Sequence, residues 1–274
     1  MPGQPQIIPL RIPYEPLTRY GYGKPPHAAL YQLVKKNHAR YRELLENFVV
    51  FKEDVRKVPL GSTDKYSPDP CWDNVQFTGR DAVTLYALLA LKKPARFWEI
   101  GSGFSTRWAL RAVTDKGLPT KIQVFDPNPR VPLTNLPCVT HLKDKLERMD
   151  LSQFGELQAG DFLFLDGTHR VFPSSDVTLF FWELVAKLKP GVLVHFHDIF
   201  LPFDYPQELL PKFYSEQYML GVYLMGGMDR MDVVLPNAYA LQEPSLNPII
   251  SKMVLPLSRA NDVPSSSSFW VEIK

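Results

Sequence analysis

At 274 residues, 45% hydrophobic and 22% charged, the chain is long enough and apolar enough to bury a full core, which excludes a disordered polymer. A formal net charge of +2, with no long run of one sign, argues against nucleic acid or an anionic membrane as partner and leaves a small molecule as the expected one, with homo-oligomerisation open. Cys71 and Cys138 form neither a CxxC pattern nor a disulfide framework, the Met1–Pro5 start lacks a signal-peptide pattern, and no run approaches the roughly 20 apolar residues of a membrane span. A cytoplasmic protein with plain thiols is expected.

Residues 1 to about 26, rich in proline, glycine and tyrosine, read as an extended arm. From His27 to Val50 apolar residues at Leu30, Leu33, Val34, Tyr41, Leu44, Leu45 and Phe48 predict one amphipathic helix, a packing element or a surface for a partner. A proline-rich loop follows, then a helix over Gly79 to Lys92. Beyond it, Ala95 to Ile100, Lys121 to Asp126, Asp161 to Asp166 and Val192 to Asp198 are short apolar runs ending at or near polar groups, with helical segments among them. That alternation predicts an α/β fold with a parallel sheet covered on both faces. Val177, Phe180, Phe181, Leu184, Val185 and Leu188 mark the clearest helix, capped by Ser174 or Ser175 and ended by Pro190-Gly191. A helix between Pro206 and Leu224, a strand at Met231 to Leu235, a short helix near Leu246 to Val254 and a closing strand at Phe269 to Ile273 complete the pattern. The expected division is an arm and helical extension over residues 1–76 and a domain over 77–274.

Phe97-Trp98-Glu99-Ile100-Gly101-Ser102-Gly103-Phe104-Ser105-Thr106 reads as strand, glycine turn and helix start, the junction at which open parallel sheets bind ligands. Gly101 and Gly103 permit close backbone approach, and Ser105 or Thr106 is expected to cap the helix. The next strand ends at Asp126, which could hold a ribose or cap a turn. A dinucleotide site would want glycine or alanine at Thr106, and Glu99 before the first glycine suits a cationic ligand better than two phosphates.

On these residues the sequence resembles the class I S-adenosylmethionine-dependent methyltransferases. Glu99-Ile100-Gly101-Ser102-Gly103 is similar to their first motif, and Asp126 to their ribose-binding acid. Leu165-Asp166-Gly167-Thr168-His169 and Val194-His195-Phe196-His197-Asp198-Ile199 are similar to a group of bacterial methyltransferase domains. The resemblance spans roughly Phe77 to Leu235 and implies a Rossmann-like, seven-stranded, mostly parallel sheet with helices on both faces, plus the helical N-terminal extension. It implies S-adenosylmethionine as cofactor, with Gly101 and Gly103 behind its methionine part, Glu99 facing the amino end, Asp126 on the ribose and Asp144 as an adenine-side candidate. The expected cofactor-binding set is Glu99, Gly101, Gly103, Ser105, Thr106, Asp126 and Asp166.

Asp166 and His169 leave one strand end, and His197 and Asp198 end the strand beyond it. A neutral imidazole can take a proton from a hydroxyl or amine, so His169 and then His197 are the expected bases, with Asp198 completing the catalytic set. His195 shares a strand face with His197 and is expected to lie deeper. Arg170 could bind an acidic acceptor. Asp166, Asp198 and a histidine could instead hold a divalent metal, but catechol-type enzymes carry Asp-Asn or Asp-Asp where this chain has Asp198-Ile199, so a metal is not favoured. The loop Ile199 to Pro206, with Asp204 and Tyr205, can line an acceptor pocket, and Trp72 and Phe77 can close over the cofactor. The leading expectation is methyl transfer to a hydroxyl or amine of a small molecule such as a sugar or natural-product intermediate. A metal-dependent hydrolase or oxygenase and a non-catalytic methyltransferase-fold protein are the alternatives.

Overall fold

The computed structural model describes residues 15–64, 66–74, 76–77, 79–134, 136–226, 230–254 and 266–274. The first part of the expected arm, 1–14, and the stretch 255–265 before the closing strand lie outside the described residues.

Apolar spacing in the N-terminal segment yields not one helix but two, α1 (Ala28–Lys35) and α2 (His38–Phe48), followed by a 3-10 turn and α3 (Lys52–Arg56). The break falls at Asn37, whose side-chain amide donates to Asp232 Oδ1 at 2.9 Å and to the Val233 carbonyl at 2.8 Å. A side chain that satisfies strand backbone offsets the lost helical turn. Helix α4 (Gly79–Lys92) has the expected bounds, and it leads into β1 (Arg96–Ile100), α5 (Phe104–Asp115) and β2 (Lys121–Phe125). Strand β3 (Val139–Leu142) is half exposed along its length and so has no apolar run to announce it.

After β4 (Phe162–Leu165), the helix capped by Ser175 consists of α6 (Asp176–Leu179), a π-helical turn (Phe180–Leu184) and α7 (Val185–Lys187). The wider turn lets neighbouring rings share one partner: Phe180 meets Phe196 edge-on at 5.1 Å and Phe181 stacks on it at 5.7 Å. Strand β5 (Leu193–Phe196) follows. The helix expected from Pro206 starts only at α8 (Glu216–Met225), because Phe213 adopts a left-handed backbone and the His169 carbonyl accepts from the Ser215 and Glu216 amides at 2.8 and 3.2 Å. Strand β6 (Met231–Pro236), the short helices α9 (Asn237–Gln242) and α10 (Asn247–Ser251) and β7 (Phe269–Ile273) close the chain.

Among the described residues the strands form one seven-stranded sheet in the order β3-β2-β1-β4-β5-β7-β6, parallel except that β7 runs antiparallel to both neighbours. Every residue of β4 and β5 is buried, so both faces are covered. Leu30, Val34, Tyr41, Leu45, Phe48, Val55 and Val58 belong to the same hydrophobic cluster as the sheet, so the core runs across residue 76. Chain order reverses between β1 and β4, and a crevice opens at that point on the carboxyl edge. Among the described residues no helix is long and apolar enough to cross a membrane.

Candidate active site

The strand ends at this crevice are laced by backbone bonds: Gly101 N donates to Phe125 O at 3.0 Å and Asp166 N to Ile100 O at 2.9 Å. Gly101 has φ +79°, and a Cβ there would stand 1.9 Å from the Asp166 carbonyl oxygen. Only glycine allows the β1 turn to approach the β4 end this closely. Helix α5 begins at Phe104 with Gly103 in the cap position, two or three residues before the expected caps. Ser105 and Thr106 therefore fall in its first turn and donate their hydroxyls to the two oxygens of Glu99, while Thr106 Oγ1 also accepts from the Gly103 amide at 3.4 Å across the cap.

Glu99 is fully buried. Burial pushes its carboxyl up to about 8 against the opposing pull of the Ser105 and Thr106 hydroxyls, since no cation neutralises it. The charge that would attract a cation is thus largely suppressed at neutral pH in the free protein. Asp126 is held differently, accepting from Ser102 Oγ at 2.6 Å and from the Asn128 amide at 2.7 Å. It caps the Pro127-Asn128 turn and also faces a cleft of about 290 Å³, where its carboxylate keeps lone pairs for further donors. Gly101, Ser102, Asp126, Leu146, Glu147 and Asp166 are among the lining residues. Of the expected cofactor set, Gly101, Asp126 and Asp166 line this cleft, while Glu99, Ser105 and Thr106 stand buried behind it.

Beside the cleft, β4, β5, α4 and α8 bring four carboxylates against two imidazoles. His169 Nδ1 lies 2.9 Å from Glu216, and its Nε2 lies 3.2 Å from Asp166 and 3.6 Å from Asp198. His197 Nδ1 lies 3.4 Å from Asp166 and 3.7 Å from Asp198, with Nε2 3.8 Å from Asp81. Burial alone would discharge both rings, but the carboxylates outweigh it: His169 is held well above the ordinary histidine range and His197 is raised to about 9. Burial pushes the Glu216 carboxyl up while the His169 imidazole draws it back. Burial likewise opposes ionisation of Asp166, yet His197 and His169 bring it well below the usual carboxylate range. Asp166 and Asp198 are the members that reach solvent, with side chains 22% and 20% exposed.

His195 lies deeper, as its alternation predicts, stacked on Phe164 at 3.7 Å and sharing a hydrogen bond with Ser268 Oγ. Burial keeps it neutral. Asp144 is exposed and accepts from its neighbour Lys145; the cleft wall on that side is Lys145 to Glu147 instead. Arg170 donates to the Lys212 and Thr168 carbonyls. Phe77 packs on His197 at 5.3 Å, whereas Trp72 is buried against Trp108. Asp204 receives the backbone of the N-terminal arm, and Tyr205 the amide of Gln217. The residues that sequence reasoning missed are Asp81, Glu216 and Ser267. Asp81 accepts from Asn237 at 2.7 Å and from the Ser267 and Ser268 amides at 2.9 Å each, so it fixes the start of β7 next to His197.

Among the described residues no group of three or more His, Cys, Asp and Glu has the arrangement of a metal site. Residues 98–199 match the family model of a methyltransferase domain. No curated protein matches the chain. Among solved structures, an SAH-bound methyltransferase from Podospora anserina is 16% identical, with 83% of this chain and 88% of that one covered and a TM-score of 0.42. An O-methyltransferase from Bacillus cereus in complex with SAH is 13% identical, with 89% and 99% covered and a TM-score of 0.42.

Proposed function

We propose, from the premise that this chain carries a class I S-adenosylmethionine-dependent methyltransferase domain, that the cleft over Gly101 holds the cofactor and the adjoining acid–histidine cluster receives the hydroxyl or amine of a small-molecule acceptor. The observation that carries this reading is Asp126. Its carboxylate lines the cleft with spare acceptor capacity, which suits the two hydroxyls of a ribose. Gly101 and Ser102 would support the methionine part, and Leu146 and Glu147 stand where a base edge would rest.

Bound there, S-adenosylmethionine supplies a methyl group on a positively charged sulfur. The protein's part is to hold the acceptor in line with that methyl group, and then to take its proton. The expected histidine bases suit the second task poorly, because both imidazoles are held as cations and a cation has no lone pair to accept a proton. Asp198 is the better proton acceptor in this reading. It is partly exposed, it lies within 4 Å of both rings, and its carboxylate carries the lone pairs that an imidazolium lacks. Four carboxylates against two imidazoliums also leave the cluster net negative, which favours the approach of a sulfonium.

Calorimetric titration with S-adenosylmethionine and S-adenosylhomocysteine, with NAD as control, tests the reading. Both adenosyl ligands are expected to bind, and Asp126→Ala to weaken them about tenfold or more through loss of two hydrogen bonds. Failure of the intact protein to bind either ligand would reject it.

A further inference from the structure

We propose that a second cavity, of about 220 Å³ between the N-terminal arm and the loop after β5, is the subsite for the acceptor's body, and that it takes a single, largely apolar ring bearing a hydroxyl. The assignment as an acceptor subsite rests on the methyltransferase reading above; the binding chemistry of the cavity does not.

Position is the first argument. Because β7 runs antiparallel to β5, the residues leading into β7 stand at the same edge as the residues leaving β5. Ser267 Oγ lies 3.3 Å from Asp198 Oδ1, and the neighbouring Ser266 is part of the cavity wall. Phe200, two residues beyond Asp198, supplies another part of it.

The wall chemistry is the second. Phe200, Phe203, Ala238 and Leu241 face the arm segment 21–24 across the cavity. The polar ends of the arm are engaged elsewhere: Tyr22 Oη donates to the Asp204 carbonyl at 3.2 Å and Lys24 Nζ to the Thr18 carbonyl at 2.6 Å. Two polar side chains of the wall remain, that of Gln242, which is exposed, and that of Ser266, which is buried. Ser266 is 2% exposed, and among the described residues its hydroxyl has no hydrogen-bond partner. A buried hydroxyl without a partner carries a desolvation penalty that a ligand oxygen would relieve. A sugar would leave most of its hydroxyls against phenyl and leucyl groups, whereas a ring with one hydroxyl would not. At about 220 Å³ the cavity is smaller than the 290 Å³ cleft over Gly101, which suits an occupant of one ring.

The wall is also fixed in place. Arg19 N donates to Asp204 Oδ2 at 3.0 Å, Asp204 N to the Tyr20 carbonyl at 3.1 Å, and His27 N to the Pro202 carbonyl at 3.0 Å. Gly21 packs its Cα side so closely on Phe203 that a Cβ would come within 2.9 Å of it. The arm is therefore a built wall and a determinant of acceptor shape.

The test uses 4-fluorophenol and fluorobenzene as probes, followed by fluorine NMR titration on the full chain, with S-adenosylhomocysteine calorimetry on every variant. Saturable 4-fluorophenol binding is expected for the unaltered protein. Ala238→Trp and Leu241→Trp, which fill the cavity from two sides, should each weaken it at least tenfold while keeping S-adenosylhomocysteine affinity within about twofold. Ser266→Ala should weaken 4-fluorophenol about three- to tenfold, the effect of one neutral hydrogen bond, and leave fluorobenzene unchanged. Absence of saturable binding, or binding indifferent to both tryptophan substitutions in variants that still bind S-adenosylhomocysteine, overturns the site; equal loss of both probes in Ser266→Ala overturns the hydroxyl recognition. If S-adenosylhomocysteine does not bind while 4-fluorophenol behaves as expected, the methyltransferase reading fails and the ring site stands.

Discussion

At the β1–β2 end of the sheet's carboxyl edge, Glu99 and Asp126 are held by neutral donors, the hydroxyls of Ser105, Thr106 and Ser102 and one amide. At the β4–β5 end, Asp166, Asp198, Glu216 and Asp81 are held around imidazolium rings. The two solutions have opposite consequences for charge. Hydroxyls do not repay the burial of Glu99, whose carboxyl rises to about 8, so its charge depends on what comes near it. The imidazoles more than repay the burial of Asp166, and the carboxylates raise His197 to about 9, so this end carries fixed charge whether or not a ligand is present. One end can respond to a cation, while the other presents a preset field.

The two ends touch at Gly101, and the largest effect is expected there. Gly101→Ala places a methyl group 1.9 Å from the Asp166 carbonyl at a φ of +79°, so the turn must withdraw from β4. Strain and overpacking together should cost about 4 kcal/mol in urea unfolding and abolish S-adenosylhomocysteine binding. A variant of unchanged stability would show that the ends are not coupled through this contact. Next comes Glu216→Leu, which leaves His169 with one of its nitrogens facing no acceptor in a buried site. A loss of about 3 kcal/mol is expected, and clearly less for Glu216→Gln, which can still accept the Nδ1 hydrogen bond. Equal losses for the two variants would mean that Glu216 acts through its charge alone and not through the hydrogen bond it accepts.

The same description fixes the sign of a pH dependence. His197 keeps its proton up to about 9 in the folded protein but only to about 6.5 when unfolded, so its contribution is fully present below pH 6.5 and is lost as pH rises through 9. Glu99 acts in the same direction between the ordinary glutamate value and about 8, because the folded state again holds the proton longer. The His197 contribution alone should lower stability from urea unfolding by on the order of 2 to 3 kcal/mol between pH 6.5 and 9, and Glu99 should add to that fall up to about pH 8. A His197→Gln variant should show a flatter profile; an equally steep one would place the titration elsewhere.

How far the sequence revealed these two ends follows from how each is built. The β1–β2 end is local: Glu99, Gly101, Ser105, Thr106 and Asp126 sit on one strand–turn–helix–strand passage, and their types and spacing announced the ligand-binding junction. Even there, the strand ends placed Asp126 in the cleft, but no periodicity could tell that Ser105 and Thr106 would bond Glu99 from inside the first turn of α5. The β4–β5 end is assembled from distant segments. His169, His197 and Asp198 were legible as strand-end residues, but Glu216 begins a helix and Asp81 stands in the first turn of another, positions where an acid is ordinary. What makes them part of the site is tertiary, namely the capping of α8 by the His169 carbonyl and the docking of α4 against the start of β7. Asp166 and Asp198, both legible in the sequence, do most to raise the two imidazoles, and Glu216 and Asp81 add to it from these distant segments.

The smallest predicted effect tests the responsive end directly. If Glu99 is largely protonated in the free protein near pH 6, binding of the cationic S-adenosylmethionine should gain little from it there, and Glu99→Gln should change affinity less than twofold. As pH rises past about 8 the carboxyl ionises, and the parent protein should then bind S-adenosylmethionine about fivefold more tightly than Glu99→Gln, a difference of about 1 kcal/mol that suits a charge acting from behind the cleft wall. S-adenosylhomocysteine, which lacks the sulfonium charge, should show a weaker pH dependence in the same titrations. Calorimetry in buffers of different ionisation enthalpy should also detect proton release on S-adenosylmethionine binding near pH 7, since a cation beside Glu99 lowers its proton affinity. Equal pH profiles for the parent and Glu99→Gln would mean that Glu99 only ties β1 to α5, and that the cofactor's positive charge is met by Asp166 and the acid–histidine cluster.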